Sequence, residues 1–301
     1  MVKHNDTAGQ GRVVGSVLLG LAGLAVLFAV LMYGKDIVLF NPKGIIADGQ
    51  TRLIITVVAI FLSVAVPTLA LLYFFAWKYR ESNTTAKRAP SKRKNRFSAF
   101  SLWIVPCLVL LILASVMIPA THKLDPHKAI VTDTQPLTIQ VIALRSKWLF
   151  IYPEQNIATV NFVQIPVNTP VQFELTADEA PMNSFWIPHL GGQLYAMTSH
   201  SNQLNLMADT PGDYAGQAAE INGPGFADMK FMARASSQAD FDAWLQNIKQ
   251  SADPLSQAEY QKLLIPSENN PIMVYSTAPA KLYDTVLLKY GGSHGHHEGT
   301  E

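Results

Sequence analysis

Hydrophobic positions along this chain fall into two regimes. In the N-terminal part they form unbroken runs. Val13 to Tyr33 ("VVGSVLLGLAGLAVLFAVLMY"), Leu53 to Trp77 ("LIITVVAIFLSVAVPTLALLYFFAW") and Leu102 to Ala120 ("LWIVPCLVLLILASVMIPA") carry no charged residue. A helix rises about 1.5 Å per residue and a bilayer's hydrocarbon core is about 30 Å thick, so each run is predicted to be a membrane-spanning helix. The prolines in the second and third runs are compatible with that, because neighbouring helices can re-satisfy the backbone they free. After about Thr121 the pattern changes. "PLTIQVIAL" (Pro136 to Leu144), "TVNFVQI" (Thr159 to Ile165), "PVQFELTA" (Pro170 to Ala177), "NQLNLMA" (Asn202 to Ala208), "MKFMARA" (Met229 to Ala235) and "PIMVYS" (Pro271 to Ser276) are short and rich in Val, Ile, Thr and aromatics. Turn residues separate them, which predicts strands of an all-β sandwich or barrel. "SSQADFDAWLQNIKQ" (Ser236 to Gln250) places Phe241, Trp244, Leu245 and Ile248 on one helical face, "LSQAEYQKLLI" (Leu255 to Ile265) continues helically, and "KLYDTVLLKY" (Lys281 to Tyr290) closes the ordered chain.

Composition agrees with this division. A hydrophobic fraction of 49% with 15% charged residues is apolar for a soluble chain of 301 residues, and the excess sits in the three runs. The formal charge of +1 conceals an asymmetry. Between the second and third runs lies "KYRESNTTAKRAPSKRKNR", with Lys78, Arg80, Lys87, Arg88, Lys92, Arg93, Lys94 and Arg96 against the acid Glu81. The positive-inside rule places this loop in the cytoplasm and the C-terminal half outside, in the periplasm of a bacterium. The loop is read as a topology signal ahead of an anionic-lipid site, and no basic stripe reads as a nucleic-acid footprint. The first run is longer than a secretory signal core and lacks an A-x-A-like cleavage site, so it is read as an uncleaved helix with a cytoplasmic N-terminus. Cys107, the single cysteine, lies inside the third run and can form no internal disulfide.

One stretch stands apart. "YAGQAAEINGPGFADM", Tyr214 to Met229, has the glycines and tight turns of a metal-binding loop, with Glu220 and Met229 but neither cysteine nor histidine. Together with "TVNFVQIPVNTPVQFELTA" and "MNSFWIPHLGGQLYAM" it resembles, in order and spacing, the cupredoxin domain of subunit II of the haem-copper terminal oxidases. Two membrane helices joined by a basic loop and followed by an external β-domain fit the same family. In its cytochrome c oxidases the corresponding segments hold a dinuclear copper centre that takes electrons from cytochrome c. Laid along that pattern, Asn183 stands at the first histidine, Ala218 and Asn222 at the two bridging cysteines, and Phe226 at the second histidine. Glu220, whose backbone carbonyl serves in the family, and Met229 remain. A thiolate-bridged copper pair cannot form without thiolates. The loop is therefore read as a structural relic, with Gly216, Gly223 and Gly225 supplying turn conformations that glycine reaches easily.

Chains of this family without the copper centre resemble the bo-type quinol oxidases, and "WKYRESN", "THKLDPHK", "FIYPEQNIATVNF" and "NGPGFADMKF" match that branch. The resemblance implies no cofactor and no catalytic residue in this chain. It implies haems and a copper ion in a partner subunit I, quinol as substrate of the complex, further small membrane subunits and lipid as partners, and no cytochrome c. Departures are present. Ser146 replaces the first tryptophan of a Trp-x-Trp pair, leaving Trp148, and Ala99 replaces a glutamate near a proton path. Where the bo branch usually begins with a lipoprotein signal, the first run here is read as a plain hydrophobic helix. Met182, Met197, Met207, Met229 and Met232, with His189 and His200, could be imagined as a copper site but are read as core filling, since no cysteine lies nearby. Asp213, Glu220 and Asp228 are read as turn and surface residues, and His294, His296 and His297 as part of a disordered tail.

The expected organisation is a hydrophobic helix and connector over 1–48, a membrane hairpin over 49–122, a periplasmic cupredoxin-like domain over 123–290 with a helical insertion near 236–265, and a His-rich tail over 291–301. The expected role is that of a non-catalytic, integral subunit of a proton-translocating quinol oxidase in the bacterial inner membrane. The competing reading is a membrane-anchored copper-binding or oxidase-assembly protein.

Overall fold

The computed structural model describes residues 37–81, 83–84, 96–180, 182–221, 223 and 225–290, with the backbone alone at 96–99 and 101–102. The run at Val13 to Tyr33, most of the basic loop, Asn222 and the His-rich tail lie outside the described residues, as does the side chain of Ala99. The chain divides into two units, 1–41 and 42–301; of the first, the described part is a short 3-10 turn, Val38–Phe40.

The second unit begins with two long helices, α1 (Ile45–Lys78) and α2 (Arg96–Lys123). Both contain windows of high mean hydropathy, 2.6 and 2.5, none of which is buried by protein. Such surfaces need lipid or another apolar partner. Their hydroxyls are satisfied within the helix: Thr56 donates to the Arg52 carbonyl at 2.8 Å, Ser63 to Ile60 at 2.7 Å and Thr68 to Val64 at 2.7 Å. These three hydroxyls therefore need no partner from the surrounding hydrocarbon. Helix α1 starts well before the apolar run at Leu53. Its first turns, which carry Asp48, Gln50 and Arg52, rest against the β-domain, so polarity alone did not mark the helix start.

The rest forms a sandwich. Strands β1 (Leu137–Ala143), β2 (Trp148–Tyr152), β3 (Ile157–Val160), β5 (Val171–Ala177), β8 (Asn202–Leu206) and β11 (Met273–Tyr275) make a six-stranded sheet in the order β11-β3-β2-β1-β5-β8. Strands β4 (Phe162–Pro166), β6 (Met182–Trp186), β7 (Leu194–Met197), β9 (Gly212–Ala218) and β10 (Lys230–Ser236) make the other, in the order β4-β10-β9-β6-β7. The pairs β1/β5 and β4/β10 are parallel and the remainder antiparallel.

"TVNFVQI", expected as one strand, is two. Asn161 lies between them at φ 56°, in the left-handed region that asparagine tolerates better than most residues. Its Oδ1 accepts the Trp148 N–H at 2.9 Å and its Nδ2 donates to the Asn270 carbonyl at 3.2 Å. The break sends β3 to one sheet and β4 to the other. Tyr152 then ties the two sheets together, its hydroxyl donating to the Gln164 carbonyl at 2.8 Å and accepting the Gln164 N–H at 2.9 Å.

Strands β2, β6, β7 and β9 were not anticipated. β2 is a continuous apolar run because both its faces are buried. Trp148, Phe150 and Tyr152 point into the core between the sheets, while Leu149 and Ile151 meet the C-terminal helices. β9 holds two glycines and little β-propensity, so its pairing with β10 is set by tertiary contacts.

The predicted helical insertion resolves into α3 (Gln238–Ser251) and α4 (Gln257–Leu264), and the terminal helix is α5 (Leu282–Tyr290). Ser237 caps α3 by accepting the Asp240 N–H, and Ser256 caps α4 by accepting that of Glu259, each at 3.1 Å. Helices α4 and α5 cover the outer face of the six-stranded sheet, where Leu263, Leu264, Leu282 and Val286 pack with Ile142, Leu149 and Val160.

Candidate functional site

The loop singled out in the sequence joins β9 to β10. Ala218 closes β9, paired with Phe185 on β6, and its N–H donates to the Met229 carbonyl at 3.0 Å. The Ala219 N–H donates to the Ser184 carbonyl at 3.0 Å. Both ends of the loop are therefore held by backbone bonds. Between them, Gly223 at φ 125° and Gly225 at φ 85° occupy left-handed conformations that favour glycine. Gly216 does not. It lies within β9, and a Cβ there would come 2.1 Å from the Phe231 ring, so this glycine supplies room for an aromatic rather than a turn.

The structure brings most of the singled-out positions to one end of the five-stranded sheet. Asn183 is fully buried on β6, and Met229 is fully buried where the chain re-enters β10. Phe226 opens a 3-10 turn (Phe226–Asp228) and packs against the core. The Glu220 carboxylate accepts a hydrogen bond from the Tyr195 hydroxyl, and that bond raises the Tyr195 phenol above its ordinary value. Asn222 lies outside the described residues. Trp148 reaches the same place from the opposite sheet, its indole N–H donating to the Met229 carbonyl at 3.4 Å. Its ring meets Phe185 edge-on at 5.3 Å, and Phe185 stacks on Phe231 at 5.0 Å. The contributions of Tyr195, Ser184 and Phe231 had no short-range signal in the sequence, because each arrives from another strand.

These residues do not fit a copper ion. Ala218 and Phe226 offer no donor atom, and the Met229 thioether is enclosed in the apolar core. Among the described residues no group of three or more His, Cys, Asp or Glu side chains could hold a metal. The methionines and histidines noted in the sequence do not converge. Met182 and Met197 face each other across β6 and β7, while the His189 ring lies on Tyr214 at 5.5 Å and the His200 Nδ1 approaches the Thr198 carbonyl at 3.1 Å. Asp213 pairs in bidentate fashion with Arg234, at 2.7 and 2.8 Å, and this hydrogen-bonded ion pair holds its carboxyl below the usual value.

At position 146, where the resemblance implies a tryptophan, the serine is held by the C-terminal segment. Ser146 is buried, its Oγ accepting the Ser267 N–H at 3.1 Å and its carbonyl accepting from Asn270 at 3.3 Å. Next to it Lys147 is also buried, donating to the Ser267 Oγ at 2.8 Å and the Ile265 carbonyl at 3.2 Å. Burial lowers this amine below its ordinary value. The C-terminal segment thus closes over the β1–β2 turn.

Comparison with known proteins places this arrangement. The family model for the periplasmic domain of cytochrome c oxidase subunit II matches residues 131–236, and that for the COX aromatic rich motif matches residues 249–294. The cytochrome bo(3) ubiquinol oxidase subunit 2 of Pseudomonas putida is 44% identical over 263 residues, 87% of this chain and 83% of that protein. The chain belongs to the ubiquinol oxidase subunit 2 family. Another member, the ubiquinol oxidase subunit 2 of Acetobacter aceti, is 42% identical over 87% of this chain and 85% of its own length. Among solved structures, the periplasmic domain of subunit II of the Bradyrhizobium japonicum cytochrome oxidase aligns with 40% of this chain and 98% of its own, at 21% identity and a TM-score of 0.38. In this member of the family the aromatic rich motif takes in α4, α5 and the strand between them, the elements that bury the outer face of the cupredoxin-like sandwich.

Proposed function

We propose that this chain serves as subunit II of a terminal quinol oxidase, a membrane complex in which quinol is oxidised, oxygen is reduced to water and protons are translocated. Within it the chain has a structural and assembly role. The observation that carries this reading is the β9–β10 loop: its backbone frame is intact, while Ala218 and Phe226 stand where ligands would be needed and aromatic side chains fill the interior. Asn183, Ala218, Glu220, Asn222, Phe226 and Met229 are then vestigial copper positions, and no electron enters through them from cytochrome c. The haems and the catalytic copper belong to subunit I. The exposed apolar surfaces of α1 and α2 support packing against that subunit, further small subunits and lipid.

The basic segment between α1 and α2 supports a cytoplasmic loop, an inner-membrane location and a periplasmic C-terminal domain. On this reading residues 1–48 form an N-terminal helix and connector, 49–122 the membrane hairpin, 123–290 the external domain and 291–301 a tail.

The test is to purify the tagged full-length chain from its native membranes in mild detergent. Haem spectrum, metal content and oxygen consumption are then measured with quinol and with reduced cytochrome c. Haem-bearing partners and consumption driven by quinol alone are expected. A chain that emerges without haem but with stoichiometric copper overturns the proposal and makes it a membrane-anchored copper-binding protein.

A further inference from the structure

The junction between the membrane hairpin and the external domain is tied by hydrogen bonds next to both helix ends. On the α1 side, the Lys43 N–H donates to the His189 carbonyl at 2.8 Å and the Lys43 carbonyl accepts the Asp209 N–H at 3.0 Å. Gly44 forms an antiparallel bridge with Ala208. Helix α1 begins at the next residue, and one of the N–H groups that a helix start leaves without an intrahelical partner, that of Ala47, donates to the Leu190 carbonyl at 3.1 Å. Ile46 packs against the sandwich core.

On the α2 side the chain is tied as well. The Asn205 N–H and Nδ2 both donate to the Pro126 carbonyl, at 3.0 and 3.1 Å. This segment covers the outer edge of β8, where an unpaired strand edge would otherwise lie. The outer ends of the two helices also touch, since a Cβ on Gly49 would stand 2.7 Å from a Leu124 methyl.

A domain hung from one helix by a flexible linker could swing; one fixed by backbone bonds at both helix ends cannot do so without breaking them. The seats are shaped for close approach. Gly44 has an extended backbone, φ −149°, that any residue can adopt, yet a Cβ there would lie 2.6 Å from the Met207 carbonyl oxygen and 3.1 Å from that of Leu190. Gly191 is similarly confined, with Leu206 at 2.6 Å and Ile46 at 3.3 Å. Of the two loops that hold the start of α1, the one after β8 leads into the start of β9, while the Tyr214–Met229 loop leaves that strand's end, so a seven-residue strand, roughly 20 Å, separates these two.

We propose that residues 42–50 together with Pro126 form an orientation clamp, which fixes the external domain at one angle to the membrane hairpin and presents a preset face to the partner subunit. Its assembly half rests on the oxidase reading given above; its geometric half does not.

The test uses the full-length chain with Cys107→Ser and spin labels at Thr56→Cys on α1 and Lys230→Cys on the domain, read by pulsed dipolar spectroscopy. A single narrow distance distribution is expected in this parent chain. Gly44→Val, whose β-branched side chain cannot enter the seat, should broaden it, with Gly44→Ala intermediate. Lys43→Ala keeps every backbone bond and should leave it narrow. Near-ultraviolet circular dichroism of the same samples reports whether the sandwich core stays packed. In native membranes, haem retained on the tagged Gly44→Val chain should fall by about tenfold, as an added ordering cost at the interface demands. A broad distribution in the parent, or an unchanged one in Gly44→Val, overturns the clamp. Broadened distances with undiminished haem overturn its role in assembly. If even the parent retains no haem, the oxidase reading fails, while the distances still decide the geometry.

Discussion

The Lys289 ammonium lies 2.7 Å from the carboxylate of Asp178, a residue that is 1% exposed at the end of β5. The Tyr290 hydroxyl donates to the same oxygen at 2.7 Å and the Tyr260 hydroxyl to the other at 2.5 Å. One buried carboxylate thus fastens α4 and α5 to the sandwich.

Burial opposes ionisation of Asp178, but the hydrogen bonds from Lys289, Tyr260 and Tyr290 outweigh it and hold the carboxyl below its ordinary value. A depressed carboxyl contributes stability that is fully present above its unfolded value, about 3.9, and lost as pH falls through the lower folded one. The C-terminal segment should stay docked at neutral and mildly acidic pH and loosen only in strong acid. Asp178→Asn should cost about 1–3 kcal/mol, since it strands donors while Lys289 remains partly solvated. Denaturant unfolding gives the magnitude, and limited proteolysis should show earlier cleavage within residues 252–290.

Gly216→Ala places a methyl group into the Phe231 ring, which is itself stacked on Phe185. Neither ring has space to retreat, so a loss of about 1–3 kcal/mol or more is expected. Phe231→Leu in the same chain should recover part of it, giving a non-zero coupling in a double-mutant cycle of unfolding free energies.

Asn161 carries two separable contributions, a left-handed backbone and side-chain bonds to Trp148 and Asn270. Asn161→Gly keeps the first and loses the second, for about 1–2 kcal/mol. Asn161→Ala loses both and should cost roughly 1–3 kcal/mol beyond that. Equal midpoints for the two variants would show that the backbone conformation is not what matters at the sheet switch.

The Asp213–Arg234 pair has near-ideal geometry, yet its side chains are 45% and 49% exposed. Water screens such a pair, so Asp213→Asn should change stability by less than about 1 kcal/mol and leave quinol-driven oxygen consumption unchanged. A larger loss in either assay would assign the pair a role in docking.

The sequence by itself determined the long apolar helices α1 and α2, because an uncharged run long enough to cross a bilayer has few other solutions in water. It also determined that the Tyr214–Met229 loop lacks thiolates, since ligand chemistry is a property of residue type. Strands with clear alternation or β-branched content, β1, β5 and β8, were legible for the same local reason. What the sequence left open was decided by contacts between distant segments. β2 reads as featureless apolar chain because α4 and α5 bury its second face, and β9 is a strand only because β6 and β10 pair with it. The break at Asn161 depends on bonds to Trp148 and Asn270, 13 and 109 residues away. Gly216 looked like a turn residue until Phe231 was seen above it. The start of α1, ahead of its apolar run, is fixed by carbonyls of the 187–192 loop. Periodicity reports burial by one neighbour at a time; where a backbone is shaped by several non-local partners, only the assembled fold specifies it.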